Sequence, residues 1–251
     1  MNRNTSWDKH AKWYDVSLDK KAGYHSTLVL PNLLRLMDID KSDVILDLAC
    51  GQGFFAREFF GKGAQVIGVD ISENLIQIAK DKSDPNIKYY VSAADNLPFI
   101  KKDSIAKITI ILALQNIENV GSVIKECQRL LRQNGKIFIV INHPSFRIPK
   151  HTSWGFDDKN KIQFRKVDSY LTESRSKIQM HPGSSPDEFT WSFNRPLQFY
   201  SKIFNKNNLA IAKLEEWNSN KESEPGPKAE MENKARKEIP LFLFMEVIKI
   251  V

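Results

Sequence analysis

The chain has 251 residues, 41% apolar and 27% charged, a balance that argues against intrinsic disorder and fits one elaborated α/β domain over residues 1–251. No apolar run approaches the roughly 18 residues a membrane-spanning helix needs, the stretch near Ile108–Leu114 being strand-sized, and residues 1–8 lack the apolar stretch of a secretory signal. Two cysteines, Cys50 and Cys127, are too few for a disulfide framework or a structural zinc site, so a reduced, cytoplasmic protein is expected. The net charge of +7 raises the question of a nucleic-acid partner. Residues 1–143 carry 19 basic and 16 acidic groups and residues 144–251 carry 18 and 14, with no basic arm or tail, which argues against that partner. Residues 147–177 hold eight basic groups against four acidic ones, read either as a solvated surface or as a pocket for an anionic small molecule.

In chain order, Thr27–Met37 reads as a helix with an apolar face and Pro31 in its first turn. Val44–Ala49 is a buried strand, Phe54–Phe60 a helix, Gln65–Asp70 a strand, and Ser72–Lys82 a helix capped by Ser72. Ile87–Val91 and Ile108–Leu114 are strands, Val123–Arg132 is a helix with Asn134–Gly135 as its C-cap, and Lys136–Ile141 is the fifth strand. This alternation predicts an α/β fold, a doubly wound parallel sheet covered on both faces, with ligands bound along the carboxyl edge of its strands. Residues 143–195 show no long period and read as an insertion crossing that edge. Pro196–Asn205 is a helix, Ala210–Trp217 a strand, Ser219–Lys228 a polar loop, Met231–Lys237 a short helix and Leu241–Ile250 a final strand.

The segment Val44-Ile45-Leu46-Asp47-Leu48-Ala49-Cys50-Gly51-Gln52-Gly53-Phe54-Phe55-Ala56 runs a buried strand through a glycine turn into a helix, whose first N–H groups are free for a ligand. Gly51-x-Gly53-x-x-Ala56 also fits a dinucleotide fingerprint, and Asp70, at the end of the second strand, is placed to accept from ribose hydroxyls in either reading.

Four segments separate the readings: Leu46-Asp47-Leu48-Ala49-Cys50-Gly51-Gln52-Gly53, Gly68-Val69-Asp70-Ile71-Ser72, Ala93-Ala94-Asp95-Asn96-Leu97-Pro98-Phe99 and Leu130-Leu131-Arg132-Gln133-Asn134-Gly135-Lys136-Ile137. In order and spacing they resemble the class I S-adenosylmethionine-dependent methyltransferases, and most nearly the small-molecule enzymes of ubiquinone/menaquinone type. The resemblance covers residues 42–142. It implies a Rossmann-like sheet of about seven strands with the last one antiparallel, an N-terminal helical cover over residues 1–40, a lid over 143–195 and the rest of the sheet in 196–251. It implies S-adenosyl-L-methionine as methyl donor and S-adenosyl-L-homocysteine as product. Asp47, Gly51 and Gly53 would surround the methionine moiety, Asp70 the ribose diol and Ile71 the adenine face, with Asp95 and Asn96 at the adenine amino group. Ala49, Cys50, Ser72, Ala94, Leu112, Gln115 and Tyr14 would complete the cofactor's surroundings. Ala49 stands where the fuller motif has glycine, and Asn116 where relatives often have histidine.

A small-molecule O, N or C nucleophile is the expected methyl acceptor. A methyltransferase acting on RNA or protein and an NAD-dependent oxidoreductase are the alternatives. Cys50 lacks a neighbouring histidine and reads as a small residue beside the turn. Among His10, His25, His143, His151 and His181, the candidate bases are His143, directly after the fifth strand, and His25 in the N-terminal cover. Tyr24, Asn116, Arg165, Tyr170 and Arg195 are candidate substrate contacts, and no cluster of metal ligands is apparent. Phe146, Trp154, Phe156, Phe164, Tyr170, Phe189, Trp191 and Phe193 make the insertion richer in aromatic surface than a passive connection needs, so its wall is expected to be aromatic and basic.

Overall fold

A computed structural model describes residues 7–8, 11, 15, 23–179 and 189–250. Five strands, β1 (Val44–Leu48), β2 (Gln65–Asp70), β3 (Lys88–Val91), β4 (Ile105–Ile111) and β5 (Leu131–Asn142), lie parallel. Four short strands follow, β6 (Thr152–Asp157), β7 (Ile162–Val167), β8 (Ser174–Gln179) and β9 (Phe189–Asn194), and then β10 (Leu209–Trp217) and β11 (Phe242–Lys249). The main sheet has seven strands in the order β10-β11-β5-β4-β1-β2-β3, with β11 antiparallel to both its neighbours, as expected of the last strand.

Alternation along each strand divides the core in two. Ile137, Ile139 and Ile141 of β5 face one side with Leu243 and Met245 of β11, under helices α4 (Val120–Leu130) and α5 (Leu197–Lys206). Phe138 and Val140 face the other with Phe242 and Phe244, under α1 (Leu30–Met37) and α2 (Phe54–Gly61). The helix α3 (Glu73–Lys82) packs on β2 and β3, and α6 (Ala229–Glu238) on β7. No helix among the described residues is long and apolar enough to cross a membrane.

Three elements differ from expectation. The fourth strand stops at Ile111, because Leu112 turns into the left-handed region at φ 53° and Leu114–Asn116 form a 3-10 turn. Helix α4 ends at Leu130 rather than at an Asn134–Gly135 cap. Buried Leu131 already pairs with Ile105 of β4, so sheet pairing overrides the cap signal, and Asn134, at φ 60°, instead marks an irregularity inside β5. The third difference is regularity within 143–195: β6 pairs with β7 and β8 with β9 as antiparallel ribbons. On β9 it is Thr190, Ser192 and Asn194 that are buried, the reverse of the apolar-inward alternation by which a strand is recognised.

Gly53 starts α2 at φ 79°, and a Cβ there would lie 2.4 Å from Tyr89 Oη. Gly61, at the other end of the same helix, has nothing within 4 Å of that position. Gly53→Ala should therefore lose about 2–4 kcal/mol in urea unfolding, from left-handed strain plus overpacking. Gly61→Ala should be neutral or gain up to about 1 kcal/mol. Equal midpoints for the two variants would contradict this account of the turn.

Candidate functional site

The carboxyl ends of β1, β2 and β4 open into a cleft of about 440 Å³. Its floor is the turn after β1 (Ala49, Gly51), the end of β2 (Asp70, Ile71), the segment Ser92–Asp95 after β3, and residues 111–113 and 116–119 of the turn after β4. One wall comes from β9 through Thr190, Trp191 and Phe193, and Trp7 adds an N-terminal contribution.

Asp70 holds this floor together. Its Oδ2 accepts from the Gly51 N–H at 2.9 Å and its Oδ1 from the Ser72 N–H at 2.9 Å. Burial raises its pKa above the ordinary carboxylate range, while the hydrogen bonds from Ser72 and Gly51 oppose that rise. Ser72 caps α3 by accepting from Leu75 N at 3.2 Å and donates its own hydroxyl to Asp8 Oδ1 at 2.5 Å. Asp8 also accepts from Asn74 N at 3.3 Å, which anchors the Trp7–Asp8 step beside the cleft.

Asp47 is fully buried on β1, just before this turn. Its Oδ1 accepts from Thr109 Oγ1 at 2.7 Å, and its Oδ2 has no partner. Burial pushes its carboxyl up to about 7; the Thr109 bond opposes this and the Asp70 charge adds to it. Ala49 has φ 54°, a left-handed conformation that gives glycine its advantage at that position of the motif. Burial pushes the Cys50 thiol well up, and Cys50 is absent from the cleft lining, so the position is a packed, unreactive one.

Of the residues singled out in the sequence, Ala49, Gly51, Asp70, Ile71, Ala94, Asp95, Leu112 and Asn116 line the cleft; Asp47, Gly53, Ser72, Asn96 and Gln115 do not. Gln115 is buried, with Nε2 donating to Leu112 O at 2.6 Å and Oε1 unpartnered. Tyr14, His10 and His181 lie outside the described residues.

Neither expected base reaches the cleft. His143 Nδ1 accepts from Ser145 N at 3.2 Å, which leaves Nε2–H to donate to Glu216 Oε1 at 2.7 Å. Both ring nitrogens are thereby engaged, and burial lowers the pKa. His25 packs against Phe55 with ring centroids 6.0 Å apart, and burial lowers its pKa to about 4.

Four of the expected substrate contacts also have other partners and do not line the cleft. Tyr24 Oη bonds Ser219 Oγ at 2.9 Å, and Tyr170 Oη accepts from Leu197 N at 3.1 Å. Arg165 donates to Phe146 O at 2.9 Å and to Thr152 Oγ1 at 2.7 Å. Buried Arg195 donates to Ile117 O at 2.9 Å and Glu118 O at 2.7 Å, holding the segment that lines the cleft rather than facing it. Trp7, Glu118, Asn119 and Thr190 escaped sequence reasoning; for Trp191 and Phe193 aromatic richness was the available signal, without a spacing rule to select them.

Comparison with known proteins matches residues 46–139 to a methyltransferase-domain family. A demethylmenaquinone methyltransferase from Lactococcus lactis subsp. lactis (strain IL1403) is 38% identical over 114 residues, 42% of this chain and 45% of that protein. A ubiquinone biosynthesis O-methyltransferase from Coxiella burnetii (strain Dugway 5J108-111) is 30% identical over 166 residues, 61% of this chain and 69% of that protein. A crystal structure assigned to an S-adenosylmethionine-dependent methyltransferase of Listeria monocytogenes superposes with TM-score 0.66 at 26% identity, covering 87% of this chain and 98% of that one. The chain thus spans less than half the length of the first relative and about two thirds of the second.

With a folded pKa near 7 against about 3.9 unfolded, Asp47 keeps its proton longer in the native state, so its contribution is greatest below pH 4 and is lost as pH rises toward 7. Asp47→Asn should flatten the pH dependence of the unfolding free energy between pH 4 and 7, by up to about 4 kcal/mol across the window. Parallel curves for the variant and the parent protein would show that Asp47 titrates normally.

Proposed function

The chain belongs to the class I S-adenosylmethionine-dependent methyltransferases, and we propose that it methylates a small phenolic or quinol-type acceptor in the cleft at the carboxyl edge of the sheet. The observation that carries this reading is the meeting, in one cleft, of the Gly51 turn, Asp70, Asp95 and an aromatic wall from β9. The names of the relatives supply the acceptor class, since both act in quinone pathways by name. The two cysteines, both buried and unpaired, favour a reduced, cytoplasmic setting.

The residues present fit S-adenosylmethionine. Asp47 Oδ2 is a buried acceptor without a partner behind the turn, suited to the methionine end, whose ammonium would supply the missing donor. Gly51, at φ 55°, brings backbone rather than a side chain to the cleft. Asp70 would take the ribose hydroxyls, Asp95 the adenine amino group, and Ile71 and Leu112 the adenine faces.

When bound, the cofactor supplies a methyl group on a sulfonium centre, already activated for displacement. The protein's part is then chiefly orientation. Holding the donor and the acceptor oxygen in line is worth up to about 7–11 kcal/mol. The β9 wall and Trp7 would exclude water as charge disperses in the transition state. Among the described residues the titratable side chains that line the cleft are the carboxyl groups of Asp70, Asp95 and Glu118, weak bases that suit an acceptor with an easily lost proton.

Asp70→Ala should weaken S-adenosylhomocysteine binding in calorimetry by about 10- to 150-fold, the loss of a charge-assisted acceptor worth roughly 1.5–3 kcal/mol. Unchanged affinity would remove Asp70 from the cofactor site. Incubation with methyl-labelled S-adenosylmethionine should label simple catechols; label passing instead to RNA or peptide would overturn the acceptor class.

A further inference from the structure

Strand β9 places Trp191 and Phe193 two residues apart, so both rings leave the same face of the ribbon, and both line the cleft. Across the ladder β8 sets Arg175 opposite Phe193 and Lys177 opposite Trp191. The Arg175 guanidinium carbon lies 4.2 Å from the Trp191 ring centroid, and Lys177 Nζ lies 5.7 Å from it. Arg175 Nη1 is also 3.9 Å from Glu118 Oε1, a residue of the cleft lining, and Arg195 fixes the backbone there through the Ile117 and Glu118 carbonyls. Arg195 in turn sits 5.0 Å from the Phe193 ring. The indole therefore carries a cation on its face, and that cation also faces Glu118 of the cleft lining.

We propose that Trp191 is the specificity-determining residue for the acceptor: a planar, electron-rich, hydroxyl-bearing ring stacks on its indole, and the Arg175 brace favours that ring over its oxidised quinone. This rests on the methyl-transfer reading. A cation against an aromatic ring draws π density toward itself and leaves the remainder of the ring poorer in electrons. Offset stacking then favours an electron-rich partner over an electron-poor one. Methyl transfer has the same requirement, because the nucleophile is a hydroxyl oxygen and a quinone has no hydroxyl. The cleft also has apolar lining in Ile111 and Ile117, which suits the body of such a ring.

The test is calorimetric titration of the protein saturated with S-adenosylhomocysteine, using 1-naphthol as the electron-rich probe and menadione as the oxidised one. The parent protein should bind 1-naphthol at least fivefold more tightly than menadione. Trp191→Leu should weaken 1-naphthol about tenfold with S-adenosylhomocysteine affinity unchanged, which also shows that the variant is folded; Trp191→Phe should fall between. Arg175→Met should bring the ratio of the two affinities toward one. Equal 1-naphthol binding by Trp191→Leu and the parent, a preference for menadione, or no binding of 1-naphthol at all would overturn the platform while leaving the cofactor site standing. Failure of S-adenosylhomocysteine to bind the parent protein would overturn the methyl-transfer reading and the platform with it.

Discussion

A single carboxylate, Asp70, ties together the pieces from which the cleft is made. By accepting from Gly51 N–H and Ser72 N–H it joins the turn after β1 to the start of α3, and Ser72 in turn receives Asp8 from the N-terminal segment. Burying such a group costs free energy unless its lone pairs are occupied, and two backbone donors meet much of that demand. The arrangement still leaves Asp47 and Asp70 as two buried carboxyl groups, both with pKa values raised by burial and with the Asp70 charge raising Asp47 further. Positively charged and hydroxyl-rich ligands relieve that burden where neutral apolar ones cannot.

The same edge of the sheet stores backbone strain. Ala49 and Leu112, at the ends of β1 and β4, both adopt left-handed conformations and both line the cleft. For residues with a Cβ this costs on the order of 1–3 kcal/mol each, and it persists only where the surrounding structure over-determines it. Here the restraint is visible: Leu112 N–H donates to Val140 O at 2.7 Å and Cys50 N–H to Val69 O at 3.1 Å, so neighbouring strands fix both turns. The two-sided core beneath supplies the stability that such a site consumes.

The floor of the cleft was legible in the sequence because its signals are local. A buried apolar strand, a glycine turn and a capped helix are each set by a few consecutive residues, and Asp70 follows from a strand end, whereas Ile71 and Asp95 were singled out by the family resemblance. The rest depends on partners distant in sequence. His143 follows β5 as expected, yet its N–H donates to Leu241 O and its ring to Glu216, a residue of β10 that no local pattern links to it. Arg195 was identifiable as a residue of interest, but its role as the clasp on Ile117 and Glu118 comes from a contact across some 78 positions. The ribbons β6–β7 and β8–β9 hid behind mixed polarity, and Asn134 looked like a helix cap because sheet pairing of Leu131 is invisible in a local window.

We assign the Gly51 turn, Asp70 and Asp95 to S-adenosylmethionine rather than to a dinucleotide. Thermal unfolding with S-adenosylhomocysteine or NAD separates the two, because only a ligand that binds the native state raises the transition. At about 100 times its dissociation constant, S-adenosylhomocysteine should add roughly 2.7 kcal/mol and raise Tm by about 5–10 °C, with NAD leaving it unchanged. A rise with NAD and none with S-adenosylhomocysteine would contradict the account.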